Sequence, residues 1–244
     1  MRKKLVSLVV VLFLCCFTAF ATIMGQGYLR YKREVAALPI KQAVEAYTKD
    51  PDYVSFDKID EDFVKAVVSV EDKRYFSRKG YDFIALFRAL YHNLLAGDLI
   101  EGGSTITEQI AKNLYLDGYV TGLEEKSAEI YIFFALENNY SKEELFALYT
   151  NMNYYGDGYW GIRQASKGYY DREPDDLSLA QAAILAGIPN APAIYQLSDG
   201  YEDAKGRQAW VLKTMYNNGY ISQSQWNEAF EEDVRPINKS LNDQ

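Results

Sequence analysis

Hydrophobic residues follow two different patterns along the chain, and the first is a continuous run. Basic residues 2–4 precede an almost unbroken apolar run over residues 5–24, and about 20 such residues cross a bilayer as a helix. Residues 19–21 resemble a signal-peptide cleavage site, but the run continues past them, so we favour an uncleaved signal anchor. The basic residues ahead of the run predict a cytoplasmic N terminus, although further basic residues within 30–33 weaken the charge asymmetry.

Beyond the anchor, apolar residues return at intervals of three and four positions, which is typical of helices rather than strands. A Ser or Thr followed three positions later by Glu or Gln marks a helix start, since each side chain bonds a free amide at the other position. Such pairs open apolar-periodic segments at Ser141 with Glu144, Ser178 with Gln181, and Ser222 with Gln225. The pattern predicts an all-α domain.

Length and composition suggest how the chain is divided. With 244 residues, of which 48% are hydrophobic, one domain plus the anchor fits best. Residues 1–25 are expected to form a cytoplasmic tip and the anchor. Residues 26–55 contain two prolines and are expected to form a stalk. The helical domain is expected over residues 56–235, followed by a tail over residues 236–244.

One segment of the expected domain is unusually apolar. Over residues 83–95 the hydrophobic positions make a face broader than a simple amphipathic stripe. Two interpretations stay open for it: a buried helix, or a helix that dips into a membrane beside the anchor.

The segment from 101 to 113, E-G-G-S-T-I-T-E-Q-I-A-K-N, combines a flexible turn with a helix start. Two glycines permit a tight turn, and Ser104 or Thr105 then caps a helix, with Glu108 completing a capping box. A helix N terminus favours anions such as phosphate, and Lys112 adds positive charge two turns further on. The segment is therefore either an ordinary turn or an anion site.

Composition excludes several classes of function. A net charge of -8 and an isoelectric point near 4.9 argue against a nucleic-acid partner. Both cysteines, Cys15 and Cys16, lie in the apolar run, so there is no disulfide framework or cysteine metal site. The only histidine, His92, lies in an apolar helical pattern, and acid–base chemistry therefore falls to carboxylates.

Two glutamates are candidates for such chemistry. Glu71 follows the apolar segment 63–70, where partial desolvation would tune it as a general base. Glu129 lies three residues after Lys126 on a predicted helix, so the two share a face. Taken singly, Glu71 is equally well a solvated helix end, and Lys126 with Glu129 an ordinary surface ion pair.

These candidates belong to an ordered series of segments. The series comprises E-D-K-R-Y-F-S-R-K-G at 71–80, G-G-S-T-I-T-E-Q-I-A-K-N at 102–113, K-S-A-E at 126–129, S-K-E-E-L-F-A-L-Y-T-N at 141–151, Y-G-D-G-Y-W-G-I at 155–162 and R-Q-A-W-V-L at 207–212. In this order the segments resemble the motifs of the peptidoglycan glycosyltransferases, glycosyltransferase family 51, also called transglycosylases. The resemblance covers roughly residues 56–221 and is similar to the monofunctional, membrane-anchored form.

The resemblance implies a lysozyme-like helical domain outside the cytoplasm on the bacterial cytoplasmic membrane. It implies an inverting enzyme that polymerises lipid II into glycan strands and releases undecaprenyl diphosphate. The implied partners are lipid II, the nascent strand, the membrane and other cell-wall synthesis proteins. A divalent cation, Mg²⁺ or Mn²⁺, commonly assists this family, but spacing identifies no ligands for it here.

The resemblance also implies roles for individual residues. Glu71 matches the general base that takes the proton of the acceptor's 4-hydroxyl, and Glu129 matches a second glutamate that assists near the donor. Cationic and amide donors around the leaving diphosphate would stabilise the transition state. The substrate-binding positions that follow from the match are Arg78, Arg88, Gly103, Ser104, Thr105, Gln109, Lys112, Asn113, Lys126 and Arg207.

Departures from the family's pattern concentrate in its third motif. Thr121 and Glu125 stand where the family has two arginines, and each lost charge-assisted phosphate contact costs on the order of a few kcal/mol. Arg78 stands where histidine is usual and is expected to supply a substitute charge. Two alternatives therefore stay open beside an active polymerase. One is a degenerate member that binds lipid II or scaffolds wall synthesis, and the other is a lysozyme-like hydrolase.

Overall fold

Helices dominate the part of the chain that the structure, a computed structural model, describes: residues 2–81, 104–116, 118–120 and 122–237. These ranges contain no strand and only one isolated bridge, between Tyr154 and Trp160, which confirms the expected all-α fold. The α-helices are α1 Arg2–Ala37, α2 Ile40–Thr48, α3 Glu61–Glu71, α4 Ile106–Tyr115, α5 Leu123–Asn139, α6 Lys142–Met152, α7 Gly161–Tyr170, α8 Leu179–Gly187, α9 Pro192–Tyr195, α10 Tyr201–Asn217 and α11 Gln223–Glu231, with 3₁₀ turns at Phe56–Lys58 and Ile188–Asn190.

The predicted capping side chains start their helices. Thr105 caps α4 and forms a complete capping box with Glu108. Equivalent boxes open α6, α8 and α11 at the three serines that the sequence indicates. Each box satisfies two backbone amides that a helix start would otherwise leave unpaired.

The core forms around α8, whose nine residues are almost all apolar. A helix that is hydrophobic on every side must be covered on every side. Helices α3 and α10 both pack against α8 and against each other. This packing places the C-terminal end of α3, where Glu71 lies, beside α10.

Helix α1 continues well beyond the apolar run and joins the domain. Within the described residues it alone is long and apolar enough to cross a membrane, with a mean hydropathy of 2.6 in its most apolar window. Its C-terminal part packs along α5. The two backbones approach so closely that a Cβ on Gly27 would lie 1.9 Å from Ser127 Oγ, and Tyr28 and Tyr31 pack on Tyr131.

Residues 26–55, expected to form a stalk, contain the end of α1 and all of α2. The limits assigned to the anchor, stalk, domain and tail stay predictions. The broad apolar segment at 83–95, with Arg88 and His92, lies outside the described residues, as do Gly103 and Thr121.

Candidate active site

Glu71 ends α3 and points its carboxylate at α4. Gln109 Nε2 donates a hydrogen bond of 2.6 Å to Glu71 Oε2. Burial raises the pKa of the Glu71 carboxyl, and the Gln109 hydrogen bond and the charges of Arg207 and Lys112 offset part of that rise. A crowded carboxylate with an elevated pKa, held by a single amide, has the properties of a general base.

Helix α4 brings three of the predicted binding residues to one cavity. Gln109, Lys112 and Asn113 line a cavity of about 740 Å³, together with residues that follow α6 and α8. Lys112 is partly exposed, and no carboxylate in the described ranges forms an ion pair with it. Gln109 thus connects the Glu71 carboxylate to this cavity, and Lys112, one helical turn away, is a cation that pairs with no carboxylate of the described residues.

Glu129 lies in a second, buried network. Its carboxylate contacts Lys126 Nζ, which also forms a 2.7 Å ion pair with Glu108, and Tyr81 donates a 2.6 Å hydrogen bond to Glu108. Burial raises the pKa of Glu129 to about 7. Burial also opposes ionisation of Glu108, but Lys126 and the hydrogen bonds outweigh it and lower that pKa to about 2. One cation thus neutralises Glu108, and Glu129, with a pKa of about 7, is about half protonated at pH 7.

The two glutamates are linked through consecutive residues of α4. Gln109 bonds Glu71, and Glu108 shares Lys126 with Glu129. The first two turns of α4 therefore organise both networks. The sequence identified Glu108 only as half of a capping box and gave no sign of its contacts with Lys126 and Tyr81.

The N terminus of α4 already holds an anion from the chain itself. The Glu108 carboxylate accepts a 2.8 Å hydrogen bond from Thr105 N, and Thr105 Oγ1 accepts one from Glu108 N. These bonds occupy two of the amides that the sequence assigned to a phosphate. Ser104 precedes the cap and is partly exposed, and its role in binding stays a prediction.

Arg78 is surrounded by protein partners. Its guanidinium forms ion pairs with Asp72 at 2.9 Å and with Glu137 at 3.0 Å, and it packs on the rings of Tyr75 and Phe133. Two carboxylates compensate its single charge. The contacts favour a role in fixing Asp72, next to Glu71, over the predicted role of a substitute phosphate ligand.

Arg207 extends from α10 toward Glu71. Its guanidinium lies 4.1 Å from the centroid of the Trp210 ring, and its charge favours ionised Glu71. The Arg207 Nε is buried and has no hydrogen-bond partner within the described residues. A buried donor without a partner is costly, so a ligand that accepted a hydrogen bond from this group would gain stability.

Glu125, at one of the positions where the motif has arginine, is matched by a cation from the anchor helix. Arg30 on α1 forms a 3.0 Å ion pair with Glu125 and is 4.0 Å from Glu124. The extra anion of the third motif is therefore compensated across the α1–α5 contact. This ion pair also restricts the position of α1 relative to α5.

Reversing this pair provides a test of the contact. Arg30→Glu is expected to lower the midpoint of thermal unfolding in detergent, because the new carboxylate would lie beside those of Glu34, Glu124 and Glu125. The R30E/E125R double variant should recover most of the loss. For a partly exposed pair the coupling is about 1 kcal/mol, and additive effects of the two single variants would rule the contact out.

Comparisons with known proteins agree with the motifs. Residues 39–216 match the sequence profile of the family described as Transglycosylase. Penicillin-binding protein 1F of Bacillus subtilis is 35% identical over 91% of this chain. Penicillin-binding protein 1A of Aquifex aeolicus is 41% identical over 72% of it. A Cupriavidus necator protein that carries the transglycosylase name is 36% identical over 81% of this chain.

The relatives differ in how much of their own length is matched. The chain covers 85% of the Cupriavidus protein, but only 32% of penicillin-binding protein 1F and 24% of penicillin-binding protein 1A. In the two penicillin-binding proteins, the match is thus confined to a third of the protein or less.

Proposed function

Because this chain belongs to the transglycosylase family, we propose that it is a peptidoglycan glycosyltransferase that polymerises lipid II and releases undecaprenyl diphosphate. The observation that supports this most directly is Glu71. Its pKa is raised by burial, Gln109 orients it, and Gln109 and Lys112 line the same cavity.

The chemistry follows from these positions. Glu71 takes the proton of the acceptor's 4-hydroxyl while that oxygen attacks the anomeric carbon of the donor sugar. A new C–O bond forms, the bond to the diphosphate oxygen breaks, and the diphosphate leaves with the bonding electrons. Attack from the opposite side inverts the anomeric carbon. Lys112 counters the negative charge that grows on the leaving oxygen, which is where a fixed cation lowers the barrier most.

One N–H group of Lys126 is not used within its network of described residues. A lysine ammonium has three N–H groups, and within the described residues Lys126 gives two of them to Glu108 and Glu129. Its side chain is 33% exposed, so the third N–H is available to a donor phosphate. Glu129 contacts the ammonium and holds it in place, while the ionised Glu108 balances its charge. In this scheme Glu129 is a positioning residue.

A divalent cation remains part of the proposal without assigned ligands. No group of three or more His, Cys, Asp or Glu side chains in the described ranges could hold a metal ion. We therefore assign no step to it, and the cationic side chains account for the phosphate binding described above.

In the cell, α1 would cross the cytoplasmic membrane once, with the catalytic domain on the outer side beside its lipid-linked substrate.

The alternative is a degenerate member that binds lipid II, or other cell-wall synthesis proteins, without joining sugars. It is favoured by the small number of cations left for a diphosphate, since Glu125 replaces one arginine and Arg78 is neutralised by Asp72 and Glu137.

One assay separates these functions. The full-length protein in detergent is incubated with labelled lipid II and Mg²⁺ or Mn²⁺, and products are separated by chain length. Polymer whose formation is accompanied by release of undecaprenyl diphosphate supports the proposal. Retained lipid II binding without polymer would overturn it in favour of the degenerate member, and shortening of preformed glycan would indicate a hydrolase.

A further inference from the structure

Trp160 is an exposed aromatic residue beside the catalytic cavity. Its side chain is 60% exposed, yet its ring packs against Tyr154 with the ring centroids 4.9 Å apart. An exposed aromatic ring that lines a cavity offers an apolar face on which a ligand can stack. The motif comparison placed Trp160 in a glycine-rich segment without giving it a role.

The loop around Trp160 is held rigidly. Residues 154 and 160 pair as an antiparallel bridge. The Asp157 carboxylate closes the loop by accepting a 2.9 Å hydrogen bond from Tyr169 and a 3.0 Å bond from Ser198 N. Gly161 has a φ of 78°, and a Cβ there would lie 2.9 Å from Asn151 O. Trp160 is therefore preorganised, which lowers the entropy cost of binding a ligand.

Two cavities meet at this tryptophan. The 740 Å³ cavity lined by Gln109 and Lys112 also includes Tyr47, Met152 and Trp160. A second cavity of about 250 Å³ is lined by the same three residues. The two cavities thus adjoin at Trp160 and are together called the trough; its first part is lined by Gln109, which hydrogen bonds to Glu71.

Charge changes sign along the trough. Lys112 lines the first cavity, whereas Asp50 and Asp52 line the second. Carboxylates repel a diphosphate but accept hydrogen bonds from hydroxyl and amide groups. The far end of the trough therefore suits an uncharged polar ligand, and the aromatic face suits the C–H face of a sugar ring.

We propose that Trp160, Tyr47 and the Asp50–Asp52 end of the trough form a subsite for a sugar of the growing glycan strand, remote from the reacting carbon. The inference rests on the proposed function, because that reaction supplies a ligand long enough to reach beyond Lys112. Asp50 and Asp52 each accept a hydrogen bond within the protein, from Asp52 N and from Gln164, and an acyl chain could bind none of their remaining acceptor positions. The subsite would hold the elongated strand in place between successive additions.

The test measures glycan binding separately from catalysis. A tetramer of β-1,4-linked N-acetylglucosamine, which has no lipid and no phosphate, is titrated into the full-length protein and followed by calorimetry. Trp160→Ala is expected to weaken binding about tenfold, which corresponds to about 1.4 kcal/mol, and Trp160→Tyr to retain most of it. Tyr216→Ala, which removes a similarly exposed aromatic from α10, is the matched control and should leave binding unchanged.

Polymer length gives a second measure. Trp160→Ala should shorten the strands, because a strand that the subsite does not hold dissociates after fewer additions. Unchanged binding and strand length in Trp160→Ala would overturn the subsite and leave the proposed function intact. Tetramer binding that depends on Trp160, in a protein that makes no polymer, would support the subsite and sink the polymerase. Trp160→Ala could instead lose retention on lipid vesicles, or lose dimers, while its tetramer binding stays intact. The first result would assign the surface to lipid and the second to another copy of the chain, and either would overturn the subsite.

Discussion

Glu71→Gln is expected to reduce the rate of lipid II polymerisation by a factor of about 10²–10⁴, the usual contribution of a general base. Glutamine keeps the size of the side chain and can still hydrogen bond to Gln109, but it cannot accept the proton of the attacking hydroxyl. The initial rate is measured with labelled lipid II at saturating concentration. A rate within tenfold of the wild type would show that another group removes the proton.

The matched control is Glu143→Gln, which makes the same chemical change at an exposed position on α6 and should leave the rate unaltered. The stability of Glu71→Gln serves as a second control. Burial raises the pKa of Glu71, so the ionised carboxylate costs folding free energy at pH values above that pKa. Removing the charge should therefore leave the unfolding temperature at pH 7 unchanged or higher, and a large decrease would indicate misfolding instead.

The dependence of the polymerisation rate on pH should also reflect the role of Glu71 as general base. Because the pKa of Glu71 lies above that of an ordinary glutamate, wild-type activity should fall, as the pH is lowered, at a higher pH than an exposed glutamate would give. The residual activity of Glu71→Gln should lack this acidic limb.

Local features of the fold could be predicted from the sequence because their causes are local. Each capping box joins residues three positions apart, and all four form as their pattern indicates. The apolar run predicts the helical start of α1, and its end at Ala37 lies just before Pro39, which disfavours helical conformation in the preceding residue. The contact of residues 26–37 with α5 has no local signal in the sequence, because the residues they contact, such as Tyr131, lie far along the chain.

The partners of the site residues could not be predicted for the same reason. Glu71 and Gln109 were both identified, yet nothing in their spacing pairs residues 38 positions apart. Arg78 looked like a spare cation until α5 supplied Glu137 from 59 positions away. Glu125 looked like a defect because its cation, Arg30, lies 95 positions earlier, in a segment interpreted as a separate stalk. In each case the sequence shows the charge but not the distant partner that compensates it.

The ion pairs within the protein determine which cation contributes most to binding the leaving diphosphate. Within the described ranges, Arg78, Lys126, Lys142 and Arg30 each form ion pairs with carboxylates, whereas Lys112 forms none and lines the catalytic cavity. An unneutralised cation gains most when a phosphate arrives, since no internal partner has to be displaced. Lys112 should therefore bear a larger share of the leaving-group charge than any of the paired cations.

Lys112→Ala is accordingly expected to lower kcat by a factor of about 10²–10³, the effect of removing one donor from a developing oxyanion. The variant should be nearly as damaging as Glu71→Gln. The loss should appear more in kcat than in KM, because the charge on the leaving oxygen grows in the transition state. Lys112→Arg should retain much of the activity, and Lys213→Ala, at an exposed position on α10, should retain all of it.

The pH profile distinguishes a direct role of Lys112 from a failure of the fold. Lys112 lowers the pKa of Glu71, so its removal should move the acidic limb of the rate profile to higher pH, while Lys112→Arg should leave the limb in place. A loss of rate without that movement would place Lys112 too far from Glu71 to share its site. A loss of less than about tenfold would mean that the diphosphate is neutralised elsewhere, with Lys126 the next candidate because its third N–H is uncommitted within the described network.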